Sequence, residues 1–335
     1  MDDLALYRKT FRDIIQGYSV VTVQDKKCYI KHLTSFDQVS IDEVQQYHLQ
    51  KALGRGVPSR EESLKSLMET GEWSEDEEKE IKRLEFFIEQ IQKNKTQLVL
   101  KSEIDIQNEA LQETRKKIDD LLAKKNELLS SDAETYALKR ANDYYIIKSF
   151  FEDENLESPL FPEESDYGDL YMDEISAFVE KYNQTFSMFE ELKIQEMILQ
   201  DFYYIYFPFS DDTVGFFGNP VSKLTYNQLK LIVYTKIFKN IFENNKHIPE
   251  NIKKDPQALL DYGAIDEDAK QKLKDRMTSD SDGTTLFNAT DDDYEYAGLN
   301  RPNDSPQISL QEAAKQKGGS LSMEDLMELS GHRTK

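Results

Sequence analysis

The sequence predicts a mainly α-helical protein: a small N-terminal β-hairpin, a helical body carrying a long antiparallel helical hairpin as a coiled-coil stalk, and a disordered C-terminal tail. Three observations carry this. Apolar residues recur at alternating three- and four-residue spacings through the segment after Trp73, which is the coiled-coil period. Two short runs near the N-terminus, "YSVVTV" and "CYIKHL", are rich in β-branched and aromatic residues, as strands are. After Asn244 the chain turns polar and acidic, with too little apolar surface to offset the entropy of ordering it. The expected organisation is 1–73, hairpin plus helices; 74–130, stalk; 131–244, helical body; and 245–335, a largely disordered acidic tail with a short C-terminal helix.

In chain order, a short helix precedes the hairpin, and the polar "QDKK" joins Tyr18–Val23 to Cys28–Leu33. An isolated hairpin is marginal in water, so this one needs helices, another strand or a partner behind it. "SIDEVQQYHLQKALGRG" reads as a helix, with Ser40 and Glu43 as a capping box and Gly54 at its end. Ser59 caps a second helix that stops at Gly71. Ser74 with Glu77 starts the stalk, and the acids of "EDEEKE" fill a first turn where the helix dipole favours negative charge.

The stalk has two seams. One runs through Ile81, Leu84, Ile88, Ile91, Lys95 and Leu98; the other through Ile104, Gln107, Leu111, Thr114, Ile118, Leu121, Lys125 and Leu128. They are out of phase, because Leu98 and Ile104 are six residues apart. Either one long helix carries a discontinuity, or an antiparallel hairpin turns near "LVLKSEID" with Ser102 capping the second arm. The hairpin is preferred: arms of roughly 25 residues, or ~37 Å each, bury their own seam without a second chain. Polar seam residues such as Lys95 and Gln107 suit two tethered arms better than an autonomous coiled coil.

Asp132 then caps a helix that returns to the body, with Tyr136, Ala137, Ala141, Tyr144, Tyr145 and Ile147 on one face. After a proline-containing loop, one or two helices lead to Pro208. "TYNQLKLIVYTKIFKNIFEN" is the most apolar helix, with Leu229, Ile232, Val233, Ile237, Phe238 and Ile241 expected inward, packed on an Ile194–Phe207 helix. In the tail, one helix is expected around "DEDAKQKLKDRM". Near the C-terminus, two glycines release a short amphipathic helix in which Met323, Leu326, Met327 and Leu329 cluster, the form of a groove-docking segment.

Charge and motifs exclude more than they assign. The 335 residues carry a net charge of −22, which phosphate would repel, so nucleic acid is not an expected partner. Charged residues reach 32%, against about 25% in typical domains, yet 18 Tyr and 18 Phe argue against a wholly disordered chain. The single cysteine, Cys28, can form no internal disulfide and points to a reducing compartment. No signal peptide is expected, and no window approaches the ~18 apolar residues of a membrane span. His32, His48, His247 and His332 lie in different elements without ligand spacing, so no zinc site is expected. There is no phosphate loop and no nucleophile elbow, and "SDSDGTT" lacks the closing Glu of a calcium loop. No catalytic residue, cofactor or metal ligand is expected, and the chain reads as a non-enzymatic, partner-binding protein.

The order "YSVVTVQDKKCYIKHLTSFDQ", "GRGVPSREESLKSLMETGEWSEDEEKEIKRL", "LKSEIDIQ" and "SSDAETYALKRANDYY" resembles tail and baseplate-hub assembly proteins, of the tail assembly chaperone kind, from contractile-tailed, T4-like bacteriophages. The resemblance covers about residues 15 to 245 and brings no active-site residues. It implies an assembly chaperone in the host cytoplasm, holding a tail, tape-measure or baseplate-hub protein through helical surfaces and the docking helix at Met323, Leu326, Met327 and Leu329. Two alternatives stand beside it. One is a structural component of the virion tail or baseplate, with self-association; the other is an acidic regulator of a basic host protein.

Overall fold

The fold was obtained as a computed structural model, which describes residues 3–163, 166, 169–245, 248–265, 268 and 291–296. It is mostly helical with a small antiparallel sheet near the N-terminus. The chain divides into two compact units, each drawn from two stretches: Met1–Glu75 with Ala123–Asn240, and Asp76–Leu122 with Ile241–Lys335.

In the first unit, α1 (Asp3–Gln16) leads through Gly17 into β1 (Tyr18–Val23) and β2 (Lys26–Lys31). The strands pair antiparallel, with Val23 opposite Lys26. That leaves only Gln24 and Asp25 in the turn, at φ 47° and 64°. Positive φ at both central residues is what a two-residue turn needs to match the strand twist. The support the hairpin requires comes from a third strand, β3 (Phe150–Phe151), whose Phe150 and Phe151 pair with Ile30 and Tyr29. One sheet face then buries Val21, Val23, Cys28 and Ile30 against Ile146, Ile147, Phe150, Phe161 and Phe178.

Helix α2 (Ser35–Gly54) starts five residues before the expected Ser40 cap. Thr34 and Asp37 form its capping box instead, and Lys31 Nζ holds Asp37 at 2.6 Å. α3 (Arg60–Thr70) begins at a Ser59–Glu62 capping box and ends at Gly71, which is left-handed at φ 77°, both as the sequence indicates. Trp73, the only tryptophan, is buried beneath the Lys124 ammonium, 5.4 Å from its ring.

Two helices follow where the stalk is expected: α4 (Glu75–Lys95) and α5 (Lys101–Leu128), 21 and 28 residues long. The break between them spans 96–100, so the antiparallel hairpin is the arrangement found. Lys95, at the end of α4, donates to Asn108 in α5 at 2.6 Å. The buried seam positions are Ile81, Ile91, Ile104, Leu111, Thr114 and Ile118. Ser102 does not cap α5; its N–H and hydroxyl both donate to the Asp293 carboxylate.

α6 (Ala133–Ser149) starts at an Asp132 cap and packs along α2 through Ala137 and Ala141. The stretch up to Pro208 is more broken than expected. It comprises α7 (Met172–Phe186), α8 (Glu191–Ile198) and a 3-10 segment, Asp201–Asp211, with Pro208 inside it. Eight aromatic residues crowd Phe202–Phe217, and the ring packing of Tyr203, Tyr206, Phe207 and Phe216 replaces a regular helix face. Past the short α9 (Thr213–Phe217), α10 (Tyr226–Asn244) joins this layer through a 2.7 Å hydrogen bond between Tyr203 and Thr235. Its inward stripe in this unit is Asn227, Gln228, Leu231, Ile232, Thr235 and Phe238. Val233, expected inside, is 52% exposed. Ile232 and Phe238 are buried as expected and Leu229 and Ile237 are half-buried; the stripe also takes in Gln228 and Thr235, which donate to the Ile15 and Leu231 carbonyls.

The second unit joins the hairpin's outer part to the region expected to be disordered. Within that region, α11 (Glu250–Lys253), α12 (Pro256–Ala264) and α13 (Asp291–Tyr296) are helical. Ile248, Ile252, Leu259, Tyr262, Ile265, Tyr294 and Tyr296 are buried. These few apolar residues are spaced to fall on single faces, which the mean composition of the segment conceals. The expected helices around "DEDAKQKLKDRM" and at Met323, Leu326, Met327 and Leu329 lie outside the described residues, apart from Asp268.

Candidate functional site

The seam fixes what the outer part of the hairpin leaves uncovered. With Ile81, Leu84, Ile88 and Ile91 turned toward α5, Phe86 and Phe87 fall between seam positions. They are 60% and 49% exposed. Ile106, off the seam on α5, is also exposed. Two adjacent phenylalanines on the outward side of a charged helix do not stabilise that helix. Large aromatic side chains are the residue type that anchors protein interfaces. The pair was legible in the sequence as two apolar residues out of register with the seam.

The polar seam residue Lys95 has a specific partner. Its ammonium meets the Asp261 carboxylate of α12 at 2.6 Å, and their side chains are 12% and 8% exposed. Asn108 Nδ2 and Gln257 Nε2 also donate to Asp261, each at 2.9 Å. This carboxylate with three donors and, separately, Asp293 on the backbone of Ser102 bind the C-terminal helices to the hairpin. An apolar-seam helix with one buried lysine calls for an anion, but nothing local in the sequence says that the anion lies more than a hundred residues further on.

In the first unit, His32 is strongly perturbed. It is fully buried against Phe186 and Phe189, and its Nε2 lies 2.9 Å from Ser19 Oγ. Burial pushes its pKa down to about 3, so the ring is neutral throughout the physiological range. The unfolded chain takes up a proton below about pH 6.5 and the folded one does not, so acidification favours unfolding. From pH 7 to pH 5 this ring removes about 2 kcal/mol of stability. His32→Phe should flatten that part of the pH dependence, measured by denaturant unfolding at both pH values. An unchanged slope would mean the ring does not govern it. Cys28 is buried in the sheet, and burial raises its thiol pKa, the opposite of an activated nucleophile.

A further concavity in the first unit, about 520 Å³, is walled mainly by Leu33, Phe186, Tyr226, Leu229 and Val233. Among the described residues no group of His, Cys, Asp and Glu could hold a metal ion, and no helix is long and apolar enough to cross a membrane. The docking residues expected from sequence, Met323, Leu326, Met327 and Leu329, are outside the described residues, so the structure brings none of them to a site. No protein-family model, curated protein or solved structure matches the chain.

Proposed function

We propose that the chain is a non-enzymatic assembly chaperone that holds a tail, tape-measure or baseplate-hub protein of a contractile-tailed bacteriophage during assembly. The observation that carries the partner-binding part of this reading is the exposed Phe86–Phe87 pair on a charged helical hairpin. The net charge of −22 supports it, since such a surface stays soluble and steers toward basic partners. The phage assignment rests on the sequence resemblance alone. In this reading the helix at Met323, Leu326, Met327 and Leu329 is a second, tethered contact.

The test is a pull-down from infected or co-expressing cells, with mass spectrometry on the captured proteins and on purified virions. A captured tail protein, with this chain absent from virions, is the expected result. Fixed copy number in virions would make it a structural part, and a basic host protein as the main catch would overturn the phage reading. Replacing Phe86 and Phe87 by serine should lower capture about tenfold or more without lowering the melting temperature, because neither ring is in the core. Leu326→Asp should weaken capture by the same criterion. Unchanged capture in both variants would remove these surfaces from the interaction.

A further inference from the structure

A recess of about 250 Å³ opens at the outer end of the hairpin, between α4, α5 and α12. Its contents are chemically sorted. The Lys95 charge at its wall is cancelled by Asp261, and both groups are nearly buried. Arg115, also on its wall, has no hydrogen bond or ion pair among the described residues. In a chain with 64 acidic and 42 basic residues, a guanidinium left without a carboxylate is conspicuous. The recess therefore carries one uncompensated positive charge. Ile104 and Leu111, both buried in the seam, give it an apolar side. The Gln112 amide, one of several polar groups on the wall, offers a donor and an acceptor.

We infer that this recess binds the C-terminal residue of a polypeptide. Three features of a chain end match three features of the wall. The terminal carboxylate takes the Arg115 fork, which suits bidentate pairing. The last peptide group meets a side-chain amide, and an apolar last side chain lies on Ile104 and Leu111. Capture of a terminal carboxylate is a recurring mode of peptide recognition. The volume sits below the ~300–1,000 Å³ of pockets that enclose drug-sized ligands, which favours one residue over a longer segment. This site is separate from the Phe86–Phe87 surface and does not depend on the phage reading, because its probes are peptides.

The experiment is calorimetric titration of the full chain with a short glycine–serine peptide ending in leucine. The same peptide with an amidated C-terminus, and N-acetyl-leucine, are titrated alongside. The free-acid peptide should bind, and amidation should weaken it about tenfold or more, as loss of a charge-assisted pair implies. Arg115→Gln should give the same loss with an unchanged melting temperature, since Arg115 is exposed and has no hydrogen bond or ion pair to lose among the described residues. Equal binding of the amidated peptide, no binding of the free acid, or full affinity in Arg115→Gln would each overturn the inference. N-acetyl-leucine binding as tightly as the peptide would replace a chain end by a small free acid.

Discussion

Replacing Asp261 with alanine should loosen the C-terminal helices from the hairpin at a cost of about 3–5 kcal/mol. The magnitude follows from what is left behind. The Lys95 side chain is 12% exposed and would be left in a largely dry site without its counter-ion. Asn108 and Gln257 would each lose an acceptor as well. Hydrogen exchange over 256–264 reads the effect directly, since local opening free energy sets the protection of those amides. Exchange should accelerate roughly a hundredfold or more. The double variant Lys95→Met with Asp261→Leu should recover most of the loss, because two apolar groups of similar size remove the desolvation cost along with the attraction. Slow exchange in Asp261→Ala would show that apolar burial of Leu259 and Tyr262 alone holds α12 in place.

Ile232→Asp should unfold the first unit, while Val233→Asp, one residue along the same helix, should be nearly silent. Ile232 is 5% exposed and Val233 is 52% exposed. A carboxylate at Ile232 would be buried beside Leu231 on the stripe that also carries Phe238. Such a change costs of the order of 4–5 kcal/mol, against a total stability of about 5–15 kcal/mol for ordinary domains. At Val233 the new charge stays in water, where substitutions are usually within about 0.5 kcal/mol. Thermal melts of the two variants decide this. A comparable fall in both would mean that the Val233 side of α10 is covered in solution.

Local signals are legible in this sequence and distant ones are not. The Ser59 cap, the Gly71 stop and the Asp132 cap each involve residues a few positions apart, and each forms where the sequence places it, while the hairpin turn uses only Gln24 and Asp25 of the expected QDKK loop. The start of α2 was missed because Thr34 with Asp37 competes with Ser40 and Glu43 for the same role, and the Lys31 ion pair favours the former. β3 is two residues long, too short for any alternation to show. Its pairing with Tyr29 and Ile30 is a tertiary event. The stretch Asp201–Asp211 departs from the expected helix because its aromatic rings can pack in many ways, and Val233 lies outside because apolarity alone does not set a helix face. For the candidate site, the sequence reading does not single out Phe86 and Phe87, although their place off the seam is a signal that marks them. Asp261 and Arg115 gain their meaning only from α12 lying against the hairpin.

The interleaving of the two units imposes an order on synthesis. Both arms of the outer hairpin are made by residue 122, but their counter-charge arrives with Asp261, roughly 140 residues later. At about 5–20 residues per second, Lys95 waits on the order of ten seconds with no carboxylate from α12. During that interval the second stretch of the first unit, Ala123–Asn240, emerges between the two halves of the second. A nascent chain stalled before Pro256 should therefore carry a finished sheet and an unlatched hairpin, whose polar seam is open to whatever acidic group reaches it first.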